Sequence, residues 1–165
     1  MSAPGVVVRA AVPDDAPALA ELRWEFRAAR GPAQEDHAAF LARCVPWMRA
    51  ALGPGGRWRA WLAERAGTAI GTAWLQEIDK IPNPTGEAER HAYVSNVYVR
   101  PAERGRGTGR ALLEAAVARC RRVQPHAVIL WPTDRSRTLY ERAGFRPPED
   151  MMELHVRVPP RAAAP

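Results

Sequence analysis

Apolar residues recur along this chain with two different periods, and each change of period marks a new element. Val6 to Ala10 is a short β-branched run that reads as a strand, ended by Pro13 with Asp14 and Asp15 as capping candidates. Helical spacing then takes over. Leu19, Leu22 and Phe26, preceded by Ala16, predict a helix to about Ala29, stopped by Gly31-Pro32. A second helical region from Glu35 to Leu52 carries Leu41, Val45, Met48 and Leu52 in one stripe, and Pro46 predicts a kink there or two short helices.

Beyond the turn Gly53-Pro54-Gly55-Gly56 the period drops to two. Arg57 to Glu64 and Thr68 to Ile78 read as antiparallel strands joined near Ala66-Gly67. Asp79 to Arg90, with Pro82, Pro84 and Gly86, reads as a loop that could flank a substrate entrance. His91 to Val99 is a strand with Tyr93, Ser95, Val97 and Val99 on one face, stopped by Pro101. Leu112, Ala116 and Cys120 lie at i, i+4 and i+8, a helix of about four turns. Ala127 to Trp131 is a continuous apolar run of the buried-strand type, Arg135 to about Ala143 a helix, and Met151 to Val158 a last strand. The order β-α-α-β-β-β-α-β-α-β predicts an α/β (α+β) protein with a mixed sheet covered by helices. One domain is expected over residues 1–165, with 1–5 and 159–165 as flexible tails.

The composition agrees. A chain of 165 residues, 47% hydrophobic and 25% charged, suits one soluble domain. The formal charge of +6 rests on basic residues that are all arginine except Lys80, and it favours acidic ligands without choosing between a phosphate-bearing small molecule and nucleic acid. Cys44 and Cys120 fall on apolar helix stripes and read as buried thiols. His37, His91, His126 and His155 lack metal-ligand spacing, so no metal is expected. No apolar run approaches the ~18 residues of a membrane span, and Met1 to Gly5 lacks a basic region followed by an apolar core; a cytoplasmic protein without membrane partners is expected.

The chemistry concentrates between Val97 and Leu113. A strand runs into a loop with glycines at 105, 107 and 109, and the loop opens a helix. Glycines admit an anion to the backbone, the first helical turn offers unpaired N–H groups, and Arg104, Arg106 and Arg110 add positive charge: a site for a diphosphate. A P-loop would need G-x-x-x-x-G-K-[ST], and a dinucleotide fingerprint would need glycine where Arg110 stands.

Arg104-Gly105-Arg106-Gly107-Thr108-Gly109 resembles the acyl-coenzyme A loop of the GNAT N-acetyltransferase superfamily, [RQ]-x-x-G-x-[GA]. A second block, Leu139-Tyr140-Glu141-Arg142-Ala143-Gly144-Phe145, resembles the same family's L-Y-x-[KR]-x-G-F segment. The resemblance implies the family's mostly antiparallel sheet and acetyl-coenzyme A as co-substrate. Arg104 to Arg110 (with Gly105, Arg106, Gly107, Thr108 and Gly109) would meet the pyrophosphate, and Val97, Tyr98 and Val99 the pantetheine arm. Thr133 stands where many members have asparagine and Ser136 where alanine is common, both on the cofactor side. Tyr140 would face the cofactor sulfur and protonate the leaving thiolate. The chemistry implied by the resemblance is direct attack of a neutral amine on the thioester in a ternary complex, with an oxyanion donor expected near Val97 and no acylated enzyme residue.

The acceptor is expected beside the strand before the loop and the two N-terminal helices, with Trp24, Glu25, Trp47, Ser95 and Asn96 as wall candidates. Glu77 is the candidate catalytic base, with Glu25 as a further carboxylate. A small-molecule amine is favoured over a protein, nucleic acid is not an expected partner, and a homodimer stays open. Two other classes remain. One is an arginine-rich nucleic-acid-binding domain, for which Arg119, Arg121 and Arg122 speak, although cations at a helix C-terminus also complement its dipole. The other is a non-catalytic acyl-coenzyme A sensor.

Overall fold

The computed structural model describes residues 5–154 and Val156. Its strands are β1 Val6–Ala10, β2 Trp58–Arg65, β3 Thr68–Asp79, β4 Arg90–Val99 and β5 Ala127–Ile129; its helices are α1 Ala16–Ala28, α2 His37–Leu52, α3 Thr108–Val123 and α4 Asp134–Arg142. The five strands form one sheet in chain order, antiparallel throughout except for the parallel pair β4 and β5. The expected fold class is the one observed. β2 and β3 are joined by a two-residue turn in which Ala66 and Gly67 both have positive φ, the geometry that matches strand twist.

Helices cover both faces because each carries one apolar stripe. On one face α1 and α2 bury Leu19, Leu22 and Met48 against Leu62, Trp74 and Tyr98. On the other, α3 buries Leu112, Leu113 and Ala116 against Leu75, Val94 and Val99, with Tyr140 of α4 in the same cluster. Each fully buried leucine contributes about 1.5–3 kcal/mol of transfer free energy. Gly71 of β3 allows the close packing of α3: a Cβ there would lie 2.8 Å from the Tyr98 carbonyl oxygen and 3.2 Å from Leu112 Cδ1.

Four expectations are corrected in whole or in part. Pro46 lies inside a single continuous α2, so the alternative of two short helices falls. Pro46 and Ala42 are both exposed, so the carbonyl deprived of its helical donor reaches water. The run Ala127 to Trp131 is an edge rather than a buried strand: only its first three residues pair, with β4 alone, and Trp131 is 53% exposed. Met151–Leu154 form no strand, and His155, Arg157 and Val158 of the expected last strand lie outside the described residues. The segment between β3 and β4 is tied to itself by Lys80–Glu87 and Asn83–Glu87 contacts and lines neither cavity described below. Among the described residues no helix is long and apolar enough to cross a membrane, and no cluster of His, Cys, Asp and Glu could hold a metal ion. Cys44 and Cys120 are buried and free.

Candidate active site

The site begins with an irregularity in β4. Thr72 pairs with Tyr98 and Trp74 with Ser95, so Ala73 is opposed by two residues, Asn96 and Val97. Asn96 takes φ 52, a left-handed conformation that asparagine tolerates better than most residues. On the other edge, pairing with β5 stops at Tyr93 and Ile129. Beyond that point β4 has lost its neighbour, and its backbone edge borders a cleft of about 1260 Å³.

Val97, Tyr98 and Val99 line this cleft, followed by the turn into α3. Gly105 and Gly107 have φ of 74 and 82, conformations in which a Cβ is strained. The first intrahelical bond of α3 runs from Ala111 N–H to the Gly107 carbonyl, and no side chain caps the helix. The amides of Thr108, Gly109 and Arg110 are therefore available to an anion. Thr108 Oγ1 is buried without a hydrogen-bond partner beside them. Six arginines line the same cleft, Arg30, Arg104, Arg110, Arg121, Arg135 and Arg142, against one carboxylate, Glu114, which Arg110 holds at 2.7 Å. Free amides, permissive glycines and converging guanidinium groups fit a polyphosphate ligand such as coenzyme A.

The cofactor candidates fall together with one exception. Arg104, Gly105, Gly107, Thr108, Gly109, Arg110, Thr133 and Ser136 all line the cleft. Arg106 does not; its guanidinium turns to Glu103 at 3.7 Å. Arg104 is partly engaged, donating from Nε to the Val99 carbonyl at 2.8 Å and so holding the loop to the end of β4. Thr133 and Ser136 are bound to each other in a cap at the start of α4, the Thr133 N–H donating to Ser136 Oγ at 2.9 Å.

A second cavity, of about 940 Å³, opens between β3, β4 and the two N-terminal helices. Trp24, Trp47, Ser95 and Asn96 line it, joined by Trp58 and Trp74, whose rings meet edge to face with centroids 6.0 Å apart. Consecutive residues of β4 thus serve two spaces: Ser95 and Asn96 border the second cavity, Val97 to Val99 the first cleft. Arg30 lines both, which marks where they meet.

The two candidate carboxylates lie elsewhere. Glu77 is 5% exposed and faces α3, where its Oε1 accepts from Arg119 Nε and Nη2 at 2.9 and 2.7 Å. It borders neither cavity, and the Arg119 guanidinium already occupies its Oε1. Glu25 accepts from Arg100 Nε and Nη2 and, at 3.3 Å, from the Tyr98 hydroxyl; it too is outside both linings. Both acids join elements of the framework, Glu77 linking β3 to α3 and Glu25 linking α1 to Tyr98 and Arg100. Arg119 therefore serves Glu77 while Arg121 serves the cleft, so the basic end of α3 is divided between two tasks.

Tyr140 is 9% exposed, with its ring 5.9 Å from that of Phe145. The phenol itself is not part of either lining, although its neighbours Ser136, Leu139 and Ala143 border the cleft. Burial raises its pKa above the usual phenol value, and the neighbouring Tyr93 adds to that shift, so the hydroxyl keeps its proton across the neutral range.

Sequence reasoning missed Arg121 as a cleft residue, although Arg110, Glu114, Val117 and Arg121 recur at helical spacing along the cleft side of α3, and it missed Arg23, Arg27 and Arg30 along the cavity side of α1. That spacing was the available signal.

Comparison with known proteins fits this geometry. The model of the Acetyltransferase (GNAT) family matches residues 16–145. An acetyltransferase of Clostridium acetobutylicum, solved with acetyl-coenzyme A, superposes with a TM-score of 0.75 at 22% identity, covering 91% of this chain and 96% of that one. A GCN5-related N-acetyltransferase of Ralstonia eutropha gives a TM-score of 0.72 at 25% identity, covering 92% and 99%. The mycothiol acetyltransferase of Propionibacterium freudenreichii is 36% identical over 85 residues, which is 50% of this chain. The match spans only 25% of that longer protein.

Proposed function

The chain belongs to the GNAT acetyltransferase family, and we propose that it transfers the acetyl group of acetyl-coenzyme A to the primary amine of a small acceptor, both substrates being bound at once. The observation that carries this reading is the bulge in β4, across which a polyphosphate-binding cleft and an aromatic cavity meet. Acetyl-coenzyme A supplies an activated acyl thioester. The chain supplies the geometry around it.

The amides at the start of α3, with Arg110, Arg121 and Arg135, would hold the phosphates. The exposed edge of β4 from Val97 to Val99 would hold the pantetheine arm, and a backbone N–H there would stabilise the oxyanion. Tyr140, protonated across the neutral range and set on α4 among Ser136, Leu139 and Ala143 of the cleft lining, would give a proton to the departing sulfur and regain one from solvent. No base need be built in. The one carboxylate on the lining of the acceptor cavity among the described residues is Glu35, and Arg43 already holds it. The ammonium therefore yields its proton to water in the cavity before the amine attacks.

An amine library screened for release of free thiol from acetyl-coenzyme A tests the reading. Small amines are expected to react. If only peptides or proteins do, the small-acceptor assignment fails; if calorimetry detects no binding of acetyl-coenzyme A, the whole reading fails.

A further inference from the structure

Arg23 stands on α1 with its guanidinium in the aromatic cavity. Its Nη1 donates to Asn96 Oδ1 at 2.9 Å, and its Cζ lies 5.9 Å from the centre of the Phe26 ring. Among the described residues no carboxylate pairs with it, and neither Arg27 nor Arg30, which line the same cavity, has an ion pair either. Desolvation by burial lowers the pKa of Arg23, and repulsion from Arg27 adds to it. A half-buried cation beside two like charges, bonded only to a neutral amide oxygen, is costly unless something negative joins it.

The walls define the rest of that ligand. Trp47 is 52% exposed, with its ring 5.8 Å from Trp58 and 6.3 Å from Trp74; Trp24 and Phe40 stand 5.4 Å apart. These faces suit a flat apolar body. Asn96, which holds Arg23, is the bulge residue at the junction of the two cavities, so an anion on Arg23 sits close to the reacting centre.

We infer that Arg23 is the centre of an anion subsite in the acceptor cavity, and that the acceptor is a small amine carrying a carboxylate near its amino group together with a flat apolar body. The amine rests on the acetyl-transfer reading; the anion subsite does not. A guanidinium matches a carboxylate in a paired, charge-assisted contact, and replacing that carboxylate by a neutral amide weakens binding by about ten- to hundredfold.

The probes are 3-phenylpropionate and 3-phenylpropionamide, neither of which can be acetylated. Binding to the full chain is followed by tryptophan fluorescence, which the cavity walls report. The carboxylate is expected to bind at least tenfold more tightly than the amide, and Arg23→Gln to bring that ratio near one. Equal affinities in the parent protein overturn the subsite. A preference that survives in Arg23→Gln does so as well, since the anion then binds elsewhere, in the arginine-rich cleft for example. Should Arg23→Gln not fold, Arg23→Lys decides: a compact ammonium that cannot present two parallel N–H groups to a carboxylate is expected to lower the ratio at least threefold, and an unchanged ratio overturns the proposal. Acetyl-coenzyme A is titrated in parallel by calorimetry. Its failure to bind, with the carboxylate preference intact, removes the acetyl-transfer reading and leaves the subsite standing.

Discussion

Arg119 of α3 donates two hydrogen bonds to a single oxygen of Glu77 on β3, at 2.9 and 2.7 Å, and Arg90 approaches the other oxygen at 3.6 Å. An acid so engaged ties helix to sheet. Glu77→Gln should therefore lower stability by about 1–3 kcal/mol, because charge-assisted bonds become neutral ones or are lost. Thermal unfolding, which moves by about 2–4 °C per kcal/mol in a domain of this size, measures it. kcat and both KM values of the folded fraction should stay within twofold. A hundredfold loss of kcat at unchanged stability would restore Glu77 as a catalytic group.

Gly107→Glu should abolish acetyl-coenzyme A binding, since it brings a side chain and a negative charge to the turn that would meet the diphosphate. Gly107 also has φ 82, so any side chain there costs about 1–2 kcal/mol, and Gly107→Ala should show that smaller loss of stability by itself. Calorimetry on both variants separates charge from strain. Equal affinity in the Glu variant and the parent would move the diphosphate elsewhere.

Tyr140→Phe keeps the ring that packs on Phe145 and removes only the hydroxyl. General acid catalysis is worth ~10²- to 10⁴-fold, so kcat should fall by that order while acetyl-coenzyme A affinity holds. Single-turnover kinetics gives the chemical step directly. A fall below about threefold there would make Tyr140 a packing residue.

With Glu35, the one carboxylate lining the aromatic cavity among the described residues, held by Arg43, kcat/KM for the amine should rise about tenfold per pH unit until the acceptor's own pKa is reached. The inflection should then move with the acceptor across a series of amines of differing basicity. An inflection fixed near neutrality for every amine would reveal a base on the protein.

Arg9 links Asp15 and Glu64, at 2.7 and 2.8 Å, and its hydrogen bonds hold the Asp15 carboxyl below its ordinary pKa. A carboxyl depressed in the folded state contributes stability above its unfolded pKa, near 4, and loses it as pH falls through the folded value. Acid unfolding should accordingly begin at higher pH in Asp15→Asn, a comparison that circular dichroism between pH 5 and 2 can make.

Much of this architecture was legible from periodicity. Leu112, Ala116 and Cys120 mark the buried side of α3 because helical spacing and burial report the same stripe. Gly105, Gly107 and Gly109 among arginines mark the cleft because few other needs cluster them so. Glu77 was not legible: an acid at the end of an apolar strand looks alike whether it meets solvent, a substrate or a covering helix. Arg23 and Arg121 were hidden for a related reason. Arginines at helical spacing describe a solvated face equally well, and only the convergence of α1, α3 and α4 on two cavities separates one case from the other.

The bulge at Asn96 and Val97 has a consequence for how the strand is read. Side chains alternate with period two, so one extra residue acts as a half-period phase slip. Before the slip, Ala92 and Val94 point into the core under α3; after it, Val97 and Val99 do, while Tyr98 joins the core under α1 and α2. Odd and even positions exchange meaning midway along β4. Deleting one residue there would restore a single rhythm to the strand, and everything upstream would turn over. One strand can therefore border the aromatic cavity with Ser95 and Asn96 and the arginine-lined cleft with Val97 to Val99 because it is out of step with itself.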